Sequence, residues 1–248
     1  MKNRPVKMLS ILLLLIGMLF QSRTGDAQVL GEANVGDDVG SADIFLSSIE
    51  AGVSFNTLSP SSSNKSDRYK FKVDRTGLAV TLHQDNVLFY FDYSSGKLDD
   101  GKKVALFNAG AKIDFPVVLT DSRGFALQVP ISLFTDFLLT DASGLKSDDE
   151  LALSSVGIAS GLGVQHSTKR YILAVKAEAF IAFATQSFTT ASGSSSGFMV
   201  DAAFQYPKVF GRIGVAVSYR FLYLDTNLGE DRFDYLLQTN AITAGITF

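Results

Sequence analysis

The sequence contains no cysteine, no tryptophan and only two histidines. Without cysteine the chain forms neither disulfide bonds nor thiolate metal sites. The histidines, His83 and His166, fall in or beside predicted short turns, and nothing in their sequence context supplies the third group that orients a catalytic base. Neither a phosphate-binding glycine loop nor zinc-ligand spacing is present. We therefore predict a chain that is not an enzyme, with no catalytic residue, no metal site and no cofactor.

Long apolar runs are also scarce. The longest is Met8–Phe20, which is short for a transmembrane helix of about 20 residues. A basic stretch ending at Lys7 precedes this run, and the small residues Gly25 and Ala27 follow it. This order is typical of a secretory signal peptide cleaved near Ala27.

Cleavage at that point divides the chain into three parts. Residues 1–27 are the predicted signal peptide, residues 28–43 are a predicted flexible periplasmic segment that is acidic and glycine-rich, and residues 44–248 are the remaining domain. Loss of the signal peptide removes four of 22 basic and one of 25 acidic side chains, which leaves 18 against 24 and a net charge of −6. Nucleic-acid binding depends on basic side chains that neutralise phosphates, so we expect no nucleic-acid partner.

From residue 44 onward, apolar and polar side chains alternate in segments that are separated by turn-forming residues. A period of two indicates β-strands. The apolar phase shifts near Gly77, which we interpret as a bulge; if that stretch is a turn instead, an eight-strand barrel is the alternative. The ten predicted strands are residues 44–56, 68–82, 87–93, 104–119, 124–138, 151–165, 170–186, 197–206, 211–224 and 233–248.

The connections between these strands alternate between long, polar ones and short ones. Long extracellular loops and short periplasmic turns, with both termini periplasmic, are typical of barrels that span the outer membrane. A charge that faces lipid costs about 2 to 4 kcal/mol at the midplane. The predicted outward faces carry no charge; two of them are Phe107, Ala109, Ala111, Ile113, Phe115 and Val117, and Leu173, Val175, Ala177, Ala179, Ile181 and Phe183. The sequence therefore predicts an all-β fold, a transmembrane antiparallel up-and-down β-barrel.

The last strand supports this prediction. Ile242, Ile246 and Phe248 share its apolar face, and the chain ends on the aromatic residue. This pattern resembles the C-terminal signature of small Gram-negative outer-membrane β-barrels with eight to ten strands, although the chain matches no specific member. The resemblance implies location in the outer membrane, contact with its lipid and lipopolysaccharide, and an assembly signal at these three residues that the barrel assembly machinery reads. The absence of tryptophan departs from the usual aromatic girdles.

The opposite, lumenal faces carry charges of both signs, which buried positions tolerate when they are paired. Gly157 and its neighbours Ala159, Gly161 and Gly163 leave room either for a channel or for long side chains from across the lumen, such as Arg220, and we favour side-chain packing. The predicted lumenal charged network, which is also the solute path if the barrel conducts, consists of Glu50, Lys70, Lys72, Asp92, Lys112, Asp114, Gln128, Lys176, Glu178, Asp201 and Arg220.

Three functions are compatible with this pattern. The first is an outer-membrane barrel with a structural or surface-interaction role, in which the charged network plugs the lumen and the extracellular loops meet a protein partner. The second is a porin-like narrow channel for a small solute, whose ion preference the lumenal charges set. The third is a secreted soluble barrel that binds an apolar ligand. The third function predicts release without detergent, and the second predicts conductance.

Overall fold

The computed structural model describes residues 47–60, 73–97, 103–122, 124–142, 151–186, 192–210, 213–228 and 234–248. All of them belong to one compact unit, Gly40–Phe248. No helix in these ranges is long and apolar enough to cross a membrane. The predicted signal peptide and the predicted flexible segment 28–43 lie outside the described residues.

Ten strands form in the described ranges, as the alternating pattern predicts, so the eight-strand alternative is wrong. They are β1 (Ser48–Pro60), β2 (Val73–Gln84), β3 (Val87–Lys97), β4 (Lys103–Ser122), β5 (Phe125–Ala142), β6 (Ala152–Ser167), β7 (Ile172–Gln186), β8 (Ser192–Phe210), β9 (Ile213–Leu228) and β10 (Tyr235–Thr247). Long and short connections alternate along the chain. We call the ends of the barrel the long-loop end and the short-turn end.

Each strand pairs antiparallel with its neighbours in the chain, and β1 closes the ring by pairing with β10. Val53 lies opposite Ile242 at this closure. A closed ring leaves no strand edge with unpaired backbone groups. The predicted up-and-down barrel is therefore confirmed, whereas the periplasmic placement of both termini stays a prediction.

The predicted bulge at Gly77 is wrong. Gly77 pairs with Ser54 in an unbroken register along β1 and β2. The change of apolar phase has a different cause: the outward face of β2 becomes polar towards the long-loop end, where Asp74 is exposed and hydrogen-bonds Thr57. Asp74 therefore faces outward. Register shifts occur instead near the short turns, at Val118 in β4 and at Tyr206 in β8.

The two faces of the barrel wall differ in the way the sequence predicts. Outward apolar side chains are exposed, among them Ile158 at 55% and Ile181 at 65%, which pair across β6 and β7. Inward side chains are buried, including fully buried polar ones such as Glu50 and Lys112. We call the outward apolar surface the apolar belt. This distribution is the reverse of that in a water-soluble protein, in which large exposed apolar patches are rare.

At the short-turn end β4 extends past β3, because Val87, the first residue of β3, pairs with Ile113, whereas β5 stays paired with β6 as far as Phe125. From Val117 to Ser122, side chains on both faces of β4 are exposed. Leu119, 54% exposed, lies in this end of β4. The end of β4 therefore offers exposed apolar positions that do not belong to the apolar belt.

Candidate functional site

The centre of the lumen holds a buried lysine surrounded by carboxylates. Lys112 on β4 contacts Glu178 on β7, and its Nζ lies 2.9 Å from Asp201 Oδ2 on β8 and 3.6 Å from Asp114 Oδ1. The lysine side chain is 2% exposed. Because β4 is separated from β7 and β8 around the ring, these contacts cross the lumen and tie opposite walls together.

A second lysine and a serine extend this cluster. Lys176 Nζ lies 2.6 Å from Asp114 Oδ2. Ser132 Oγ lies 2.9 Å from Asp114 Oδ1 and 2.5 Å from Glu178 Oε1. Three carboxylates and two ammonium groups thus form one connected cluster. We call it the charged layer, and it consists of Lys112, Asp114, Lys176, Glu178 and Asp201.

An arginine cluster lies beside the charged layer. Arg220 on β9 binds Asp92 on β3, with 2.5 Å between Nη2 and Oδ2. Its guanidinium carbon lies 4.2 Å from the ring centre of Tyr90, a cation–π arrangement. The Tyr90 hydroxyl donates to Asp136 Oδ1 at 2.6 Å. Arg220 is therefore fixed by one carboxylate and one aromatic face.

Gly110 makes room for this arginine cluster. A Cβ atom built at Gly110 overlaps with the ring of Tyr90. We expect Gly110→Val to displace Tyr90 from Asp136 and Arg220, and to lower the free energy of unfolding by about 1 to 3 kcal/mol, as overpacking does. Urea unfolding of the refolded protein measures this loss. Ala111→Val, on the outward face of the same strand, is the matched control, and an equal loss in both variants contradicts the prediction.

Several buried polar atoms near the arginine cluster have no hydrogen-bond partner in the protein. Such atoms in folded proteins are normally satisfied by water, so this part of the lumen takes up water. Within the described ranges, the buried atoms without a partner are Asp92 Oδ1, Ser94 Oγ, Asn108 Nδ2 and Oδ1, Ser218 Oγ, Arg220 Nε and Nη1, and Thr247 Oγ1.

The long-loop half of the lumen contains an apolar cluster beside buried polar side chains such as Asn108 and Thr140. Phe134 on β5 and Phe180 on β7 pack edge to face with ring centres 4.8 Å apart, and Met199 on β8 is 1% exposed. Tight burial of these side chains leaves no wide aqueous passage through this cluster. We call it the apolar plug, and it consists of Leu58, Val104, Leu106, Phe134, Leu138, Leu151, Leu153, Ala159, Phe180, Ala184, Met199, Leu222, Leu224, Leu228, Tyr235 and Leu237.

The short-turn half of the lumen is open. A cavity of about 290 Å³ lies there, with Asp85 and Asn86 of the β2–β3 turn in its lining. Lys112 and Asp201 of the charged layer also line it. We call this cavity the vestibule. The lumen therefore consists of an open vestibule, a polar middle and an apolar plug.

The structure places the predicted network residues as follows. Lys112, Asp114, Lys176, Glu178 and Asp201 meet in the charged layer, and Asp92 and Arg220 meet in the arginine cluster. Glu50 stands apart and accepts hydrogen bonds from Ser48 and Thr243, each at 2.8 Å. Gln128 lines the vestibule and lies over Gly163. This glycine is therefore covered by a side chain of the neighbouring strand β5, and not by Arg220 from across the lumen. Lys70 and Lys72 lie outside the described residues.

The apolar plug is the feature that sequence reasoning missed. The prediction assigned the apolar residues to the outward face alone. The available signal was the loss of alternation beside the long loops, where both faces become apolar, as in Phe137-Leu138-Leu139 and Phe221-Leu222-Tyr223-Leu224. Such a run indicates a strand that is apolar on both faces.

The histidines and the chain end lie where the sequence places them. His83 lines the vestibule beside the β2–β3 turn, and His166 packs against Tyr171 near the β6–β7 turn. In the described part of the chain no three His, Asp or Glu side chains are grouped to hold a metal ion. Phe248 is 56% exposed on the same face as Ile242 and Ile246, and its backbone N–H donates to the Ser47 carbonyl at 3.0 Å.

No protein-family profile and no curated protein matches the chain. Solved structures align with it over the barrel. The outer-membrane protease OmpT from Escherichia coli is 11% identical, with 81% of this chain and 97% of that chain covered and a TM-score of 0.37. The Neisserial surface protein NspA is 13% identical, with 81% of this chain and 94% of that chain covered and a TM-score of 0.30. Ail, the attachment invasion locus protein of Yersinia pestis, is 15% identical, with 82% of this chain and 97% of that chain covered and a TM-score of 0.25. At these identities and TM-scores no residue role is carried over from them.

Proposed function

We propose that the chain is an outer-membrane β-barrel of a Gram-negative bacterium, exported by a signal peptide that is cleaved near Ala27. The apolar belt supports this location, because exposed side chains such as Ile158 and Ile181 are stable against lipid and unfavourable against water. The exposed apolar face that ends at Phe248 supports insertion by the barrel assembly machinery. Lipid and lipopolysaccharide are then the partners of the belt.

A charge placed in the belt tests this location. We expect Ile158→Lys to lower the free energy of unfolding in a lipid bilayer by about 2 to 4 kcal/mol, because the ammonium group must enter hydrocarbon. Leu119→Lys is the matched control, since Leu119 is equally exposed but lies in the end of β4 that extends past β3 at the short-turn end. The measurement is urea unfolding of protein folded into vesicles. Equal losses in the two variants contradict a membrane position for the belt.

We further propose that the barrel has a structural or surface-interaction role and that its lumen is sealed. The observation that carries this proposal is the apolar plug, which packs buried leucine and aromatic side chains from eight of the ten strands into the long-loop half of the lumen. An apolar constriction excludes water and ions. The role in contact with other molecules then falls to the long loops, which are the candidate site for a protein partner.

Single-channel recording in a planar bilayer tests the sealed lumen. We expect the refolded, heat-modifiable protein to give no conductance steps. Discrete steps from the unchanged protein would favour the second candidate function, a narrow pore for a small solute. The vestibule and the unpartnered polar atoms around Arg220 are the observations that support this second candidate. In a pore, substitution of Lys112 or Glu178 changes the ion preference.

A further inference from the structure

We propose that the vestibule is a binding site for a small organic cation, an ammonium group that carries a short alkyl chain. The site lies at the short-turn end and is separate from the loops that the proposed function assigns to partners. The inference shares one premise with that function, which is that the apolar plug closes the lumen. A cavity with one open end holds a ligand, whereas a cavity open at both ends passes it on.

The size of the vestibule suits a small molecule. Its volume of about 290 Å³ is at the lower limit of ligand pockets, which run from about 300 to 1,000 Å³. The lining combines polar side chains, such as Gln128 and Asp201, with apolar ones, such as Leu88 and Pro116. Ligand pockets characteristically combine an apolar wall with a few convergent polar groups. The alkyl chain of the ligand packs against the apolar side chains, and its charged end contacts the polar ones.

The charge of the wall selects a cation. The charged layer has three carboxylates against two ammonium groups, so its formal charge is negative. Both ammonium groups, on Lys112 and Lys176, already contact carboxylates, and an anion therefore gains no free lysine. Each carboxylate of the layer also contacts a lysine, so the layer has an excess of one negative charge, which a bound ammonium group compensates.

Asp201 is the carboxylate that the ligand reaches. Its side chain is 19% exposed, compared with 7% for Asp114 and 1% for Glu178. Asp201 Oδ2 contacts Lys112. Because Asp201 also lines the vestibule, the ligand contacts the carboxylate through its other oxygen, Oδ1. An ammonium hydrogen bond to a carboxylate is of the strong, charge-assisted kind.

An adjoining small cavity gives a second, independent observation. It has a volume of about 20 Å³, enough for one water, and it shares His83, Leu88, Asp201 and Ala203 with the vestibule lining. The side chains of Ser218 and Arg220 line this cavity, and each is more than nine-tenths buried with a polar atom that has no protein partner. The far side of Asp201 is therefore hydrated, which favours a polar ligand end at this point over an apolar one.

Calorimetric titration of the folded protein in nonionic detergent micelles tests the proposal, with n-butylammonium, butyrate and n-butanol as probes. We expect n-butylammonium to bind at least about tenfold more tightly than the other two, as a single charge-assisted contact allows. Equal affinity for the three probes, or tighter binding of butyrate, overturns the proposal. The two charged probes have alkyl chains of similar length, so partition into nonionic micelles favours neither of them, and titration of each probe into protein-free micelles corrects for the partition of neutral n-butanol.

Variants locate the site. Asp201→Asn should weaken n-butylammonium binding at least about tenfold, because it removes the charge-assisted contact. Asp141→Asn, which neutralises an exposed carboxylate at the long-loop end of β5, should leave the affinity unchanged. Ala174→Phe, which fills the vestibule without removing a charge, should abolish binding and serves if Asp201→Asn does not fold. Unchanged affinity in the folded Asp201 or Ala174 variant overturns the site. Conductance is measured separately, so failure of the sealed lumen is distinguishable from failure of this site.

Discussion

Phe134→Ser together with Phe180→Ser should open the barrel to ions. The two rings pack edge to face in the apolar plug, from strands β5 and β7, which flank β6. Their removal leaves a void that the rigid wall does not close, and serine hydroxyls allow water to enter it. In a planar bilayer we expect discrete conductance steps from this double variant and silence from the unchanged protein.

The matched control is Phe107→Ser with Phe137→Ser. These phenylalanines also pack edge to face, with ring centres 6.3 Å apart, but they lie on the outward face of β4 and β5. The control removes the same atoms without touching the lumen, and we expect it to stay silent. Heat-modified gel mobility confirms that each variant is folded before recording. If the lumenal double variant is folded and silent, the phenylalanine pair is not the seal.

The barrel itself was predictable from the sequence because its period is strict. A wall one residue thick, with lipid on one side and the lumen on the other, forces alternation along every strand. Even β2, in which the apolar phase changes, keeps its register, because Asp74 is merely the point at which the outward face leaves the apolar belt. The up-and-down barrel and the outward face of the regularly alternating strands follow from this pattern and from the alternating connection lengths, whereas the pattern leaves the strand number at ten or eight.

The interior was less predictable, because the alternation of apolar and polar residues indicates which side chains face inward but not which of them contact one another across the lumen. The sequence places Lys112 and Glu178 on inward faces, and their contact depends on the width of the closed ring and the register of four strands. The apolar plug was missed for a related reason. Inward leucines such as Leu138 and Leu224 alternate with outward apolar residues, and a continuous apolar run conceals which face each residue occupies.

Lys112→Met should be the most destabilising single substitution in the charged layer. Lys112 contacts Glu178, Asp201 and Asp114 inside the lumen, and its removal leaves these carboxylates with Lys176 as the one remaining ammonium group of the layer. Breaking a buried ion pair by removing one partner costs about 3 to 5 kcal/mol. Urea unfolding of the refolded protein, followed by far-ultraviolet circular dichroism, measures this loss.

Two further variants separate lost pairing from lost packing. Lys169→Met removes a lysine from the exposed β6–β7 turn, and surface substitutions of this kind change stability by less than about 0.5 kcal/mol. The triple variant Lys112→Met, Glu178→Gln and Asp201→Asn removes the lysine together with two of its three carboxylate partners, and Asp114 keeps its contact with Lys176. Because replacing a buried ion pair by neutral residues is often close to neutral in stability, we expect the triple variant to recover most of the stability that Lys112→Met loses. A triple variant as unstable as the single one would show that the unpaired charges of Glu178 and Asp201 are not the cause of the loss.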